Sequence, residues 1–166
     1  MPSRSSPGLH AHDHRRCIGS ALDAAEQLCS ARRLRLTPIR RRVLELVWAS
    51  HDPIGAYDIL AKLPRGADRA TAPMTVYRAL DFLVEHGLVH RLDSLNAYIG
   101  CDHVLQPHVG QLFVCRECGR VTELDDPALG AAFTAAAESI GFSRADALEI
   151  KGRCRDCRLG PGLPSS

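Results

Sequence analysis

Apolar residues recur at helical spacing through the first hundred positions and mostly at strand spacing thereafter, so the chain changes in kind near its middle. From Ser20 onward, Leu22, Ala25, Leu28 and Cys29 share one helical face, and Ser20 with Asp23 forms an N-terminal cap, which predicts a helix ending near Arg33. Residues 1–19 lack such periodicity and predict a mobile tail. Thr37-Pro38 opens a second helix with Ile39, Val43, Leu46 and Val47 inward and Arg40, Arg41 and Arg42 around its first turn. A third, from about Ala56 to Leu63, presents Ile59, Leu60 and Leu63 and is stopped by Pro64-Arg65-Gly66. The fourth has Thr71 as cap, Pro73 in its first turn and Gly87 as a left-handed stop. Its inward face is Val76, Leu80, Leu83 and Val84, which leaves Thr75, Tyr77, Arg78 and Asp81 on the outside.

Two short extended runs follow, Leu88 to Leu92 and Ala97 to Cys101, flanking a hairpin turn at Asp93-Ser94-Leu95-Asn96. Helices closed by such a hairpin form a winged helix-turn-helix, predicted over 20–100, whose fourth helix would enter DNA. The second half reads as a small α/β domain over 111–158. Gln111 to Cys115 and Arg120 to Leu124 are strands around a Cys-x-x-Cys-Gly knuckle. A helix from about Pro127 to Ile140 presents Leu129, Phe133, Ala136 and Ile140, Gly141 stops it, and Asp146 to Lys151 alternates as a strand. Residues 101–110 are the expected hinge and 159–166 a second tail, so the fold class is α+β.

Composition sharpens this picture in three ways. At 166 residues and 45% hydrophobic content, two small domains are affordable but each is marginal alone, which directs attention to the seven cysteines. No run of 18 apolar residues occurs and none follows the N-terminal charges, so neither export nor membrane insertion is supported and a cytoplasmic location is expected. Thiols there stay reduced, and Cys-x-x-Cys pairs are ligands rather than disulfides. The net charge of +2 conceals an asymmetry: residues 1–50 carry nine Arg against four acids, and residues 51–166 carry twelve Lys or Arg against fifteen acids. A basic first third suits a polyanionic partner.

Cys115, Cys118, Cys154 and Cys157 form two knuckles, four thiolates that close a tetrahedral shell around zinc with no position left for substrate. The separation of the pairs means that such a metal ties the first strand pair to the chain end, clamping the helix between them. A looser group comprises His90, Cys101, His103, His108 and Glu123. It reads either as scattered surface His with a buried Cys, or as a mixed S/N/O shell drawn from both halves of the protein. His10, His12 and His14 lie in the expected tail, and Cys17 and Cys29 read as buried or spare thiols. Phosphate-loop, Ser-nucleophile and His-Glu-x-x-His templates are absent, as is the His-x-Glu that a zinc deaminase needs.

At Leu36-Thr37-Pro38-Ile39-Arg40, Ala56-Tyr57-Asp58-Ile59-Leu60, Thr75-Val76-Tyr77-Arg78-Ala79-Leu80-Asp81-Phe82-Leu83 and the two knuckles, the sequence resembles the ferric uptake regulator family, and within it the zinc uptake regulator branch. The match covers about residues 20 to 158. The resemblance implies a homodimer, one or two to an operator, that binds palindromic operator DNA when zinc is plentiful and silences zinc-uptake genes. It makes Cys115, Cys118, Cys154 and Cys157 the structural zinc site and His90, Cys101, His108 and Glu123 the regulatory one, two Zn(2+) per chain, and it puts Tyr77 and Arg78 on the recognition helix. Arg40 and Arg41 are expected to hold phosphates and Arg78 to read guanine. A thiolate in the regulatory shell favours zinc over iron. The sequence departs from the iron-type pattern at Cys101-Asp102-His103, where a His-rich run is usual, and has no His-rich C-terminal tail. Competing readings are an iron- or peroxide-responsive relative, a zinc-dependent hydrolase or deaminase, and a zinc-stabilised interaction module with no DNA role.

Overall fold

The computed structural model describes residues 14–63, 72–104, 108–143 and 147–159. Its first helix, α1 (His14–Ala31), begins six residues before Ser20, because Cys17 and Ile18 pack against the same core as Ala21, Leu22 and Ala25 and extend the apolar face by a turn. Residues 14–19 are therefore helix and not part of the expected tail. α2 (Pro38–Val47) follows Thr37 at its N-cap, and α3 (Ala56–Lys62) follows Gly55. α4 (Pro73–Glu85) starts after Ala72, which offers no side-chain cap; the expected cap at Thr71 and stop at Pro64-Arg65-Gly66 lie outside the described residues. Gly87 ends α4 as expected, with φ of +69°, a conformation that costs glycine nothing. Val43, Leu44, Ile59, Val76, Leu80 and Leu83 are fully buried where these helices meet.

β1 (Val89–Leu92) and β2 (Ala97–Gly100) form the wing, antiparallel, with Leu92 opposite Ala97 and Val89 opposite Gly100. Ile54 exchanges backbone hydrogen bonds of 2.9 Å with Tyr98 in both directions, which fixes the segment between α2 and α3 to the wing. The second domain is a three-stranded sheet in which β3 (Gly110–Cys115) lies centrally, antiparallel to β4 (Val121–Leu124) and parallel to β5 (Ala147–Gly152). α5 (Pro127–Ser139) makes the crossover from β4 to β5, and a short α6 (Arg155–Leu159), unanticipated from the sequence, carries the last knuckle. The expected start of β5 at Asp146 lies outside the described residues.

The apolar stripe of α5 is not enclosed: no residue of the helix is buried, Ile140 at its C-cap is 73% exposed and the following Phe142 is 69% exposed. The helix is held at its start, where Asp126 Oδ1 accepts from the Ala128 and Leu129 amides at 2.9 and 3.1 Å and Gln111 Nε2 donates to the Asp126 carbonyl at 2.7 Å. α5 starts beside Gln111 on one face of the sheet, and Leu112 lies on the other.

That other face docks the wing. Leu92 is fully buried against Leu112 and Val114 of β3, with Ile99, Val121 and Ala147 around them. Among the described residues, no helix is long and apolar enough to cross a membrane.

Gly100 shows how tightly the wing root is packed. A Cβ there would lie 2.3 Å from Cε2 of the buried Trp48. Gly100→Ala is therefore expected to lower stability by about 1–3 kcal/mol through overpacking, read as a fall in urea midpoint at unchanged m-value. An unchanged midpoint contradicts this packing.

Candidate metal centres and nucleic-acid interface

Parallel pairing of β3 with β5 explains how distant knuckles meet. It sets Cys115, the last residue of β3, opposite Gly152, and the Arg116 amide donates to the Gly152 carbonyl at 2.8 Å, so Cys154 arrives two residues later at the same sheet edge. Gly119, with φ of +72°, turns the first knuckle tightly enough for its amide to reach the Cys115 carbonyl at 3.0 Å. The Sγ atoms of Cys115, Cys118, Cys154 and Cys157 all lie within 4.8 Å of one another, and those of Cys118 and Cys154 are 3.8 Å apart. A tetrahedron with Zn–S of about 2.3 Å has S–S edges of about 3.8 Å, so the donor set fits zinc.

The surroundings favour thiolate. The Cys154 amide donates to Cys115 Sγ at 3.3 Å; this bond, with those from the Cys118 and Glu117 amides, brings the Cys115 thiol down to about 6. Hydrogen bonding to Cys154 and Cys118 pushes the Cys157 thiol up, so the group shares protons that a metal would displace. Arg153 pairs with Glu117 at 2.6 Å and Arg120 with Asp156 at 2.6 Å, each ion pair joining the first knuckle to the second.

The looser group also converges, minus one member. Single donor atoms of His90, Cys101, His108 and Glu123 lie within 4.8 Å of one another. Glu123 Oε1 is 2.9 Å from both His90 Nε2 and His108 Nε2, and Cys101 Sγ is 3.4 Å from His108 Nε2. His103 stands beside them, 3.9 Å from Glu123 Oε1 and 3.6 Å from Asp125. His90 comes from β1, Cys101 from the end of β2, His108 from just before β3 and Glu123 from β4. The site is dry, with His90 and Glu123 side chains 8% and 6% exposed. Burial, reinforced by the Glu123 carboxylate, pushes the Cys101 thiol up to about 12. Burial also works against the Glu123 carboxylate, but the hydrogen bond and charge from His90, with donors from Asp102 and His108, hold it down to about 2. Four protein ligands of S, N, N and O character close a tetrahedral shell. Gly110 makes room: a Cβ there would lie 2.6 Å from His90 Cε1.

On the outward side of α4, Thr75 and Arg78 are exposed and Tyr77 is half-buried. Tyr57, 70% exposed on α3, meets the Tyr77 ring edge-on at 6.5 Å. In the sequence, Tyr57 stands out only as an aromatic on the polar side of α3, where Ile59 faces inward. The arginines of α2 are engaged within the chain. Arg40 stacks on the Phe82 ring at 3.5 Å and donates to the Arg35 carbonyl at 2.7 Å, and Arg41 pairs with Glu26 and, at 3.5 Å, with Glu45. The side chains of His10, His12 and His14 lie outside the described residues.

The sequence matches the ferric uptake regulator family model over residues 31–149. It is similar to the zinc uptake regulation protein of Escherichia coli (strain K12), 41% identical over 138 residues that make up 82% of this chain and 80% of that protein. A zinc uptake regulator complexed with zinc and DNA superposes with a TM-score of 0.75 at 39% identity, covering 86% of this chain and 95% of that one. A crystal structure of holo XcZur superposes at 0.73 with 41% identity, covering 85% of this chain and 99% of that one. Its apo form gives 0.50 at 38% identity, covering 85% and 97%, so the arrangement described above is nearer the holo form. With the family model spanning most of the chain and the same architecture in these relatives, the chain belongs to the ferric uptake regulator family.

Proposed function

We propose that this chain is a zinc-responsive transcriptional repressor that binds palindromic operator DNA as a zinc-loaded dimer and represses zinc-uptake genes. The observation that carries this reading is that His90 and Cys101 of the wing and Glu123 of the sheet converge on one four-ligand cluster. Zinc bound there supplies a double positive charge that holds donors of both domains to one point. Cys101 makes the shell thiolate-containing, which suits zinc better than the N/O shells that Fe(II) and Mn(II) accept. Cys115, Cys118, Cys154 and Cys157 hold a second, structural zinc, giving two per chain. The chain's work at the regulatory site is orientation: Glu123, at the centre of the cluster, draws His90 and His108 together, and the angle of the wing to the sheet follows.

The dimer follows from what one chain leaves open. Phe113, Leu124, Leu129, Ile140 and Phe142 are exposed apolar side chains of the second domain, the kind of surface that a second copy buries. The wing angle in each protomer then sets the separation of the two α4 helices, and only one separation fits two major-groove half-sites. Thr75, Tyr77 and Arg78 meet bases, with Tyr57 beside them, while Arg40 and Arg41 contact phosphates at the cost of exchanging their present partners. The protein acts by binding and catalyses no reaction.

Three measurements test this reading. Cys118→Ser is expected to remove tight structural zinc and stable dimerisation, since such a site commonly contributes about 10 kcal/mol or more to folding of a small domain; a folded, dimeric, fully metallated variant contradicts it. Arg78→Ala should lower discrimination between operator and random DNA by about 1–3 kcal/mol, whereas Arg41→Ala should weaken both equally and reduce the salt slope by about one. Equal losses on both DNAs for Arg78→Ala overturn its base-reading role. The decisive experiment is fluorescence anisotropy on operator DNA at fixed salt. Wild type should bind at least about fivefold more tightly with zinc, and Cys101→Ser should lose that response while keeping one zinc per chain and the dimer. A Cys101→Ser protein that still responds to zinc sinks the assignment.

A further inference from the structure

Glu123 has a counterpart across the sheet. The antiparallel register sets Glu123 of β4 beside Leu112, and the parallel register sets Glu149 of β5 on Leu112's other side. Residues paired in register point to the same face, so Glu123, Leu112 and Glu149 form one row against the wing. Glu123 reaches His90 near the start of β1. Glu149 reaches the far end of that strand: its Oε1 accepts from the Asp93 amide at 2.6 Å and its Oε2 from the Ser94 amide at 3.3 Å.

Those two amides are the ones the wing turn leaves over. Within the turn, the Leu95 amide donates to the Leu92 carbonyl and the Asn96 amide to the Asp93 carbonyl, each at 3.3 Å. The carboxylate of Asp93 points away to Arg91, 2.8 Å from its Nε. A carboxylate from the other domain thus completes the turn, and charge-assisted bonds to backbone amides are directional and stronger than neutral ones. Leu92, fully buried on Leu112, lies beside this contact.

We propose that Glu149 is a positioning residue of the zinc switch, clamping the wing tip to the sheet so that His90 and Cys101 are delivered to Glu123. The proposal rests on the zinc-responsive reading above. A strand held only at His90 can pivot about that point; held also at Asp93 and Ser94, it has one angle. Both grips favour the same wing orientation, so losing one lowers the fraction of molecules in which the four regulatory ligands converge, and the apparent zinc affinity falls in proportion. Glu149 coordinates nothing itself, so its loss shifts the zinc concentration at half-response and leaves the plateau.

The test compares Glu149→Ala, Glu149→Gln and Glu149→Asp in the full chain carrying zinc at the four-cysteine site. Amide hydrogen exchange at Asp93 and Ser94 reads the clamp directly, and is expected to accelerate about tenfold or more in Glu149→Ala, a bond to a charged group being lost. Competitive titration of the second zinc should show about fivefold or greater weakening, with Glu149→Gln and Glu149→Asp intermediate. The operator-binding plateau, the first zinc and the dimer should be retained. Unchanged exchange at both amides overturns the clamp, and faster exchange with unchanged affinity for the second zinc overturns its role in the switch. A lowered plateau or loss of the first zinc in all three variants marks a general structural role and overturns the proposal too. Failure of the zinc-responsive reading would be visible separately, as absence of zinc-dependent operator binding in the wild type.

Discussion

The arrangement of this molecule depends on the contact between one wing strand and one face of a three-stranded sheet. Leu92 on Leu112 is the apolar part, and Glu123 with His90 is the polar part. Few buried side chains join the domains, and small interfaces of this kind leave relative motion as the default. That weakness is what makes the contact useful. An interface held by a large apolar area would ignore a bound ion, whereas one held by a leucine and a few polar bonds has an angle that a ligand with differential affinity can bias.

The two cysteine and histidine clusters differ in what they join. The four thiols lie at one edge of a single domain, where the pairing of β3 with β5 and the ion pairs Arg153–Glu117 and Arg120–Asp156 already bring the knuckles together. Metal there would reinforce an arrangement the strands impose. The mixed cluster draws on β1, the end of β2, the segment before β3 and β4, so its donors come from both units and a metal held by them would join the two. Burial there opposes a charged glutamate, and it is the hydrogen bond and charge from His90, with donors from Asp102 and His108, that keep Glu123 ionised.

The charge asymmetry of the sequence acquires a narrower meaning in the structure. Arg40 is spent on the Phe82 ring and Arg41 and Arg42 on Glu26 and Glu45, so part of the basic first third stabilises α2 against α1 and α4. Arg78, exposed on α4 beside Tyr77, remains turned outward. Net charge alone does not distinguish these arginines; their partners in the fold do.

The sequence alone determined the local elements and singled out the candidate ligand residues. Periodicity, Pro38, Pro73 and Gly87 marked α2 to α4, and alternation marked the wing and the sheet, because backbone propensity and amphipathicity act over a few residues. It failed where a distant partner decides: α1 runs back to His14 because Cys17 and Ile18 find a core, and α5 has no buried residue among those described despite its apolar stripe. Paired knuckles declared themselves through spacing. The mixed cluster could not, since spacing by itself favoured scattered side chains, and only a resemblance separated the four expected ligands from His103. Tertiary structure alone brings donor atoms of His90, Cys101, His108 and Glu123 within 4.8 Å of one another and reveals the row of Glu123, Leu112 and Glu149, because strand register is a property of pairing between segments remote in sequence and no local pattern encodes it.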